Sequence, residues 1–468
     1  MAGEAQADLA GAMTSRSEYE RIRAAHLDAV QASLDDHVGR LDWPAEQIHQ
    51  HRDRRLRSLL AYARERSPFY ADRLRGLDVS TATVSDLARI PMLSKAEAQG
   101  QWDAIVTTPD LNREGAERIL NEQSWFSYTV HDQQVFSSGG SSGVRGVYVW
   151  DWQFFISTAC LAWRMQARDE RREESVKDAR LAVLSAGVPP HASTPLFDVP
   201  TTAAMQTVVI EAGAPFDEVL AALETYAPTH LVGYASVIGR LARASLAGDL
   251  TIRPRRVSTN SEPLFAEDRD AVVTAWDAAL YNLWGSTELG VQAVGCGRGE
   301  GLHICEDEVI LERVDDTGAP VAPDEPAVRT LATGLSNRTF PFVRYDLGDE
   351  ITLISEPCPC GSAYARVADI SGRRDDDFIY GSQSVPASAF RHVLGTDARI
   401  VEYQVLQTDT GADVLVVGTG DTESLVPALV SALQRHGVAD PSVRIRTVRT
   451  LQRHQASGKL KRFVPLPS

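Results

Sequence analysis

The spacing of apolar positions along this chain changes period several times, and each change marks an element. From Glu46 to Arg66 the spacing is helical, with Leu56, Leu59, Leu60 and Ala63 on one face. Ser67-Pro68 stops that helix, because proline cannot continue it and biases the residue before it towards extended backbone. The run Asp86 to Lys95 leads into another helix, with Ser94 placed as its cap and Glu97 three residues on. A long helix is predicted over Trp152 to Ala167. Short apolar runs then alternate with helical stretches: strands at Leu181–Leu184, Thr207–Ile210, Leu231–Tyr234 and Arg256–Thr259, helices across Phe216–Thr225 and Val237–Ala247. Such alternation predicts an α/β fold with a mostly parallel sheet, whose ligands sit at the carboxyl ends of strands.

Beyond the charged run Ser371 to Asp377, which reads as a solvated linker, Phe378 to Ser468 has its own pattern. Strands are predicted at Val401–Leu406, Val414–Val417 and Val443–Val448, with a helix across Glu423–His436. That is enough for a small α+β domain.

Composition narrows the class. At 468 residues the chain is long enough for a large core and a further domain. Hydrophobic content of 43% with 24% charged residues is ordinary for a soluble globular protein. The net charge of −16 argues against nucleic acid or an anionic membrane as a partner, and no apolar run approaches the length of a membrane span. The stretch Met1 to Asp35 lacks the apolar core of a signal peptide, so a cytoplasmic location is expected.

The candidate chemistry lies at predicted strand ends. Phe136 to Gly146 packs four glycines and four serines into eleven residues between apolar strands. Glycines let successive N–H groups face one concavity, and hydroxyls add donors suited to phosphate. A flexible linker is the alternative reading, and no Walker lysine follows. Ser261-Glu262-Pro263-Leu264 closes one strand. Trp284-Gly285-Ser286-Thr287-Glu288 closes another and offers a flat ring, a hydroxyl and a carboxylate. The competing reading there is a buried tryptophan beside a helix start capped by Ser286 or Thr287. Asp349 ends a turn, where a carboxylate can accept ribose hydroxyls. Ser457-Gly458-Lys459 puts a lysine on a small-residue turn near the carboxyl terminus.

In order and separation these motifs resemble the adenylate-forming superfamily, and its phenylacetate–CoA ligase branch in particular, from about Leu56 to Arg462. Trp284 to Glu288 is similar to the family's Tyr-Gly-x-Thr-Glu, and Tyr345 to Asp349 to its Tyr-x-Thr-Gly-Asp. Gly372 to Asp375 is similar to its Gly-Arg-x-Asp hinge, and Ser457 to Lys459 to its terminal lysine motif. Gly301 to Ile304, Glu306-Asp307 and the Cys-Pro-Cys-Gly are similar to the branch's own signatures. Two positions depart: Val144-Arg145 stands where Lys-Pro often follows the loop, and Trp284 replaces the usual tyrosine.

The resemblance implies a large adenylation domain over 51–372, a small mobile lid over 373–468 and an N-terminal helical extension over 1–50. It implies activation of a carboxylic acid, aromatic by the branch, as an acyl-adenylate, then transfer to coenzyme A. The alternative acceptor is a carrier protein, an amine or another nitrogen nucleophile. ATP and Mg²⁺ are the implied cofactors, and a second copy of the chain is a candidate partner. Ser138, Gly139, Gly140, Ser141, Ser142 and Gly143 would hold phosphates, Thr287 would contact phosphate and Glu288 the Mg²⁺. Trp284, with Gly285 and Ser286, would lie at adenine, beside Glu262 and Pro263. Asp349 would take the ribose, Lys459 would neutralise charge at phosphorus, and Arg373 and Asp375 would form the hinge. Tyr148, Trp150, Tyr234 and Ala235 are the candidates for the acyl pocket, with a core role as their alternative.

Five cysteines in so long a chain do not suggest a disulfide framework. Cys296, His303, Cys358 and Cys360 instead fit a closed tetrahedral Zn²⁺ site, with Cys305 as the competing ligand. Ordinary reduced thiols are the alternative.

Overall fold

The structure is a computed structural model that describes residues 14–466, apart from 124, 130, 139–145, 173–178, 187–190, 198, 200–204, 323–324, 326, 369, 371–375, 396, 398 and 455–457. Gly139, Gly140, Ser141, Ser142, Gly143, Arg373 and Asp375 therefore lie outside the described residues.

Helix α1 (Arg16–Gly39) is capped by Ser15, whose hydroxyl accepts the Glu18 N–H. It packs on a long helix, α3 (Trp152–Arg172), whose first turn is held by Asp151 accepting the Phe154 N–H. The two are joined by His26, whose ring stacks on Trp152 with centroids 3.7 Å apart. Val30, Leu34 and Val38 of α1 enter the same apolar core as Leu56 and Leu60 of α2 (Ala45–Arg66). The amino-terminal stretch is thus built into the large core, and the boundary expected at residue 50 has no counterpart in the packing.

Helix α3 is buried over nearly its whole circumference, charged residues included. Buried charges need partners, and Arg164 finds Asp307 at 2.8 Å. Arg40 also bonds Asp307 and Glu308, and Arg55 bonds Glu308, so two carboxylates are shared by three guanidiniums. His37 lies close to both carboxylates, but arginines already occupy them, which leaves this knot electrostatically closed to a metal.

The main sheet has nine strands among the described residues. Strands β3 (Arg180–Ser185), β4 (Gln206–Glu211), β5 (His230–Tyr234), β6 (Arg256–Asn260) and β7 (Ala279–Ser286) pair in parallel. From β7 onward, β8 (Gly290–Val294), β9 (Leu302–Ile304), β14 (Arg366–Val367) and β13 (Leu353–Ile354) pair antiparallel. The expectation of a mostly parallel sheet therefore holds on one side of β7 only. The reason is local: after β7 the chain turns back within a few residues, with no crossover helix to restore direction. Helices α6 (Ala235–Ala247) and α7 (Ala266–Trp276) pack together over the parallel half around Leu241, Val257 and Val272.

A hairpin of β1 (Gln134–Ser138) and β2 (Gly146–Trp150) lies beside this body. A small sheet contains β12 (Tyr345–Asp346). The carboxyl-terminal part carries β17 (Ile400–Thr408), β18 (Gly411–Gly418), β19 (Ser442–Thr447) and β20 (Phe463–Val464) in the order β19-β18-β17-β20. Its core is built on Phe378, Phe390, Val405, Val414, Leu429 and Leu433, and it takes in Phe265 from the preceding body.

Candidate active site

Ser138, Glu262, Pro263, Trp284, Gly285, Ser286, Thr287, Glu288, Asp349 and Lys459 all line one cavity of about 1050 Å³. The elements explain why. Strands β6 and β7 are parallel neighbours, so their carboxyl ends open on the same side. There Ser261 adopts φ +63°, a left-handed backbone that costs a non-glycine residue about 1–2 kcal/mol. It turns the chain out of β6 just before Glu262 and Pro263.

Strand β7 runs longer than the sequence suggested. Trp284, Gly285 and Ser286 are its last residues, so the helix start read there does not exist. The Ser286 hydroxyl caps the turn into β8, accepting from the Leu289 N–H and the Gln292 amide. Trp284 is buried, and its indole N–H donates to Asp349 at 3.2 Å. Two positions 65 residues apart are thereby one unit.

Glu288 is held by two phenols, for Tyr148 and Tyr345 both donate to its Oε1, at 2.7 and 3.1 Å. Burial, and next to it the Glu288 charge, push both phenols far above the usual tyrosine range, so they stay protonated donors. No described residue donates to Oε2, and the side chain lines the cavity. A carboxylate fixed through one oxygen and open at the other suits a divalent cation such as Mg²⁺.

Lys459 arrives from the carboxyl-terminal part. Gly458, at φ +68°, brings the loop against the turn after β4, where a Cβ would stand 3.2 Å from the Gly213 nitrogen. The Lys459 ammonium lies 5.6 Å from the centroid of the Tyr234 ring.

Of the four residues expected in the acyl pocket, Trp150 lines the cavity and three lie elsewhere. Tyr148 is buried against Glu288, Tyr234 lies beneath Lys459 with its hydroxyl accepting from the Ala186 N–H, and Ala235 is fully buried at the start of α6. None lines the cavity. Large residues at strand ends are core as often as they are wall, and here the strand face decided. The apolar wall is Trp150 together with Leu196 and Phe197, with Ser193, His191 and Asn260 as its polar part. Sequence reading missed Leu196 and Phe197 of α4 (Ser193–Phe197), because a helix this short leaves no periodic signal.

Glu262 also differs from its expected role. Its Oε2 accepts the Ser236 N–H at 2.9 Å and its Oε1 the Leu460 N–H at 2.8 Å, so both oxygens already hold protein donors.

Cys296, His303, Cys358 and Cys360 come together away from the cavity, with their ligand atoms within 4.8 Å of one another. Cys305 is not in the group; it is buried next to Arg164 and Asp307. Among the described residues, no helix is long and apolar enough to cross a membrane.

No family model matches the chain. A phenylacetate–coenzyme A ligase of Thermus thermophilus is 24% identical over 382 residues, covering 78% of this chain and 79% of that protein. Protein CapK of Staphylococcus aureus is 22% identical over 369 residues, covering 76% and 74% respectively. Among solved structures, 2-hydroxyisobutyryl-CoA ligase in the postadenylation state, in complex with R3-HIB-AMP, superposes with a TM-score of 0.71 at 18% identity, over 91% of each chain. The chain thus shares its fold with a 2-hydroxyisobutyryl-CoA ligase and is similar, over 78% of its length, to a phenylacetate–coenzyme A ligase.

Proposed function

We propose that the protein is an ATP-dependent, AMP-forming ligase that activates a carboxylic acid as its acyl-adenylate and transfers the acyl group to coenzyme A. The observation that carries this is the single cavity in which Thr287, Glu288, Trp284 and Asp349 of the large body meet Lys459 of the carboxyl-terminal part. A carboxylate is a poor acyl donor, because its leaving group would be oxide. Attack of its oxygen on the α-phosphorus of ATP expels pyrophosphate and leaves AMP as a good leaving group. The protein's work is then positioning and charge stabilisation.

Each residue has a part in that reading. Asp349, held by Trp284, accepts ribose hydroxyls, and the Trp284 ring lies beside the base. Glu288 would hold Mg²⁺, and a cation there would supply positive charge against the phosphates. Thr287 and Ser138 donate to phosphate, and Lys459 offsets the charge that grows on the α-phosphoryl oxygens. Trp150, Leu196 and Phe197 favour an acid with an apolar or aromatic body, and Ser193 and Asn260 leave room for one polar substituent. Since ATP and coenzyme A are cytoplasmic metabolites, the reaction belongs in the cytoplasm.

Isotope exchange between pyrophosphate and ATP, run over a panel of aryl and alkyl acids, tests the first step. Exchange with at least one apolar acid is expected. Exchange with none would remove the proposal. Adding coenzyme A to the active acid should give the thioester, whereas free adenylate alone would move the acceptor to a carrier protein or an amine.

A further inference from the structure

Four side chains that the cavity does not use meet at the antiparallel edge of the main sheet. Cys296 follows β8, His303 is the middle residue of β9, and Cys358 and Cys360 flank Pro359 in the turn ahead of β14. Cys296, His303 and Cys360 are buried and Cys358 is half-buried. The Cys296 and Cys358 sulfurs are 3.5 Å apart, and the Cys360 sulfur lies 3.4 Å from His303 Nε2. Around a tetrahedral zinc, bonds of about 2.3 Å to sulfur and about 2.0–2.1 Å to nitrogen separate two sulfurs by about 3.8 Å, and sulfur from nitrogen by about 3.5 Å. The observed separations are within a few tenths of an ångström of these.

Three surrounding features favour a metal over a chance gathering of thiols. His303 Nδ1 faces the Tyr364 carbonyl at 3.3 Å, which puts the ring proton on Nδ1 and leaves the Nε2 lone pair facing Cys360. The loop beside the cage is also fitted to it: a Cβ at Gly299 would stand 3.0 Å from the Cys358 sulfur. The Gly361 N–H closes the Cys-Pro-Cys turn on the Cys358 carbonyl at 3.0 Å, which turns both sulfurs to one side.

We propose that Cys296, His303, Cys358 and Cys360 bind one Zn²⁺ as a structural ion. Protein groups fill all four positions, so no coordination site remains for water or substrate. Binding releases three thiol protons and leaves a centre of net charge −1. The ion ties the end of β8 and the middle of β9 to the turn before β14, segments more than fifty residues apart in the chain. It braces β8, the direct partner of β7, and so the strand that presents Trp284. The proposal is independent of the ligase reading, because the cage touches no cavity residue named above.

The test is elemental analysis of the full chain purified without added metal, followed by cobalt substitution. About one zinc per chain is expected. Cobalt should give the thiolate-to-metal charge-transfer and strong visible bands of a thiolate-rich tetrahedral site. Cys358→Ser should weaken or abolish those bands, while Cys305→Ser keeps one equivalent. A strong chelator should lower Tm by on the order of 5–10 °C. If Cys358→Ser fails to fold, the wild-type metal content and cobalt spectrum decide alone. Well under one equivalent of metal, or a Cys296–Cys358 disulfide found by peptide mapping of the native protein, would overturn the proposal.

Discussion

The carboxylate of Glu262 accepts the Ser236 N–H with one oxygen and the Leu460 N–H with the other, at 2.9 and 2.8 Å. Ser236 lies in the first turn of α6, and Leu460 follows the cavity lysine in the carboxyl-terminal part. One side chain therefore holds the lysine loop against the body. Glu262→Gln exchanges an acceptor oxygen for an N–H that would face another N–H. Adenylation in this variant is expected to fall about 10–100-fold, since an acceptor lost to a buried donor costs roughly 1–3 kcal/mol. ATP affinity, read by titration calorimetry, should stay near wild type. A large loss of ATP affinity would instead make Glu262 a nucleotide ligand.

Lys459→Ala should slow adenylation by several orders of magnitude with ATP binding nearly unchanged. Single-turnover pyrophosphate release reads the first quantity and equilibrium binding the second. Unchanged adenylation would reject the role given to this lysine.

Arg462 makes a further attachment between the parts. It bonds Asp268 at 2.7 Å and Glu267 at 3.2 Å, and its guanidinium lies over the Phe265 ring. Arg462→Ala should loosen the seating of the carboxyl-terminal part and depress adenylation. Thioester formation from supplied acyl-adenylate should be much less affected. Small-angle scattering should show a larger radius of gyration in the variant, and an unchanged profile would count against this attachment.

Tyr148→Phe and Tyr345→Phe each remove one donor from Glu288. Each is expected to cost about 1–2 kcal/mol at the transition state, or roughly tenfold in rate, and to raise the Mg²⁺ needed for half-maximal activity. Because both phenols serve one oxygen, the double variant should fall short of or exceed the sum of the two, as coupled neighbours do. Additive effects with unaltered Mg²⁺ dependence would separate the phenols from the metal.

Acid should destabilise the fold before any carboxylate network fails. Burial pushes His26 down to about 4, and burial together with the Arg40 charge pushes His37 down to about 4. Both are neutral when folded near pH 6, while the unfolded chain takes up a proton on each near 6.5. Stability is therefore complete above about pH 6.5 and falls as pH drops towards 4, by about 1.4 kcal/mol per unit for each histidine. Asp307 acts lower: burial alone would raise its carboxyl, but Arg164 and Arg40 hold it well below the usual range. Denaturant midpoints at pH 7 and pH 5 measure the difference, and His26→Gln should flatten it.

What the sequence made legible follows from what periodicity and punctuation report. Strand ends are marked by glycine, proline and polar clusters, so the sequence alone reads Glu262, Thr287 and Glu288 at strand ends and Asp349 at the end of a turn. Apolar spacing reports burial and says nothing of partners. The pairing of Tyr148 with Glu288 spans 140 residues and left no trace in either neighbourhood. From sequence alone Tyr148 therefore reads as pocket wall, and so does Tyr234, which supports Lys459 from below. The same limit concealed the reversal at β7, because a buried strand shows the same apolar run whichever way its neighbour points.

Asp268 is fully buried, and it bonds Arg243 of α6 at 2.9 Å as well as Arg462. A lone buried carboxylate would be costly, and an interface that left one behind would separate only with difficulty. Arg243 would stay with Asp268 if Arg462 moved away, so the charge would not be stranded. The contact can break and re-form with little penalty on the side of the large body. If the proposed ligase opens here in each turnover, such a joint needs that reversibility more than it needs strength.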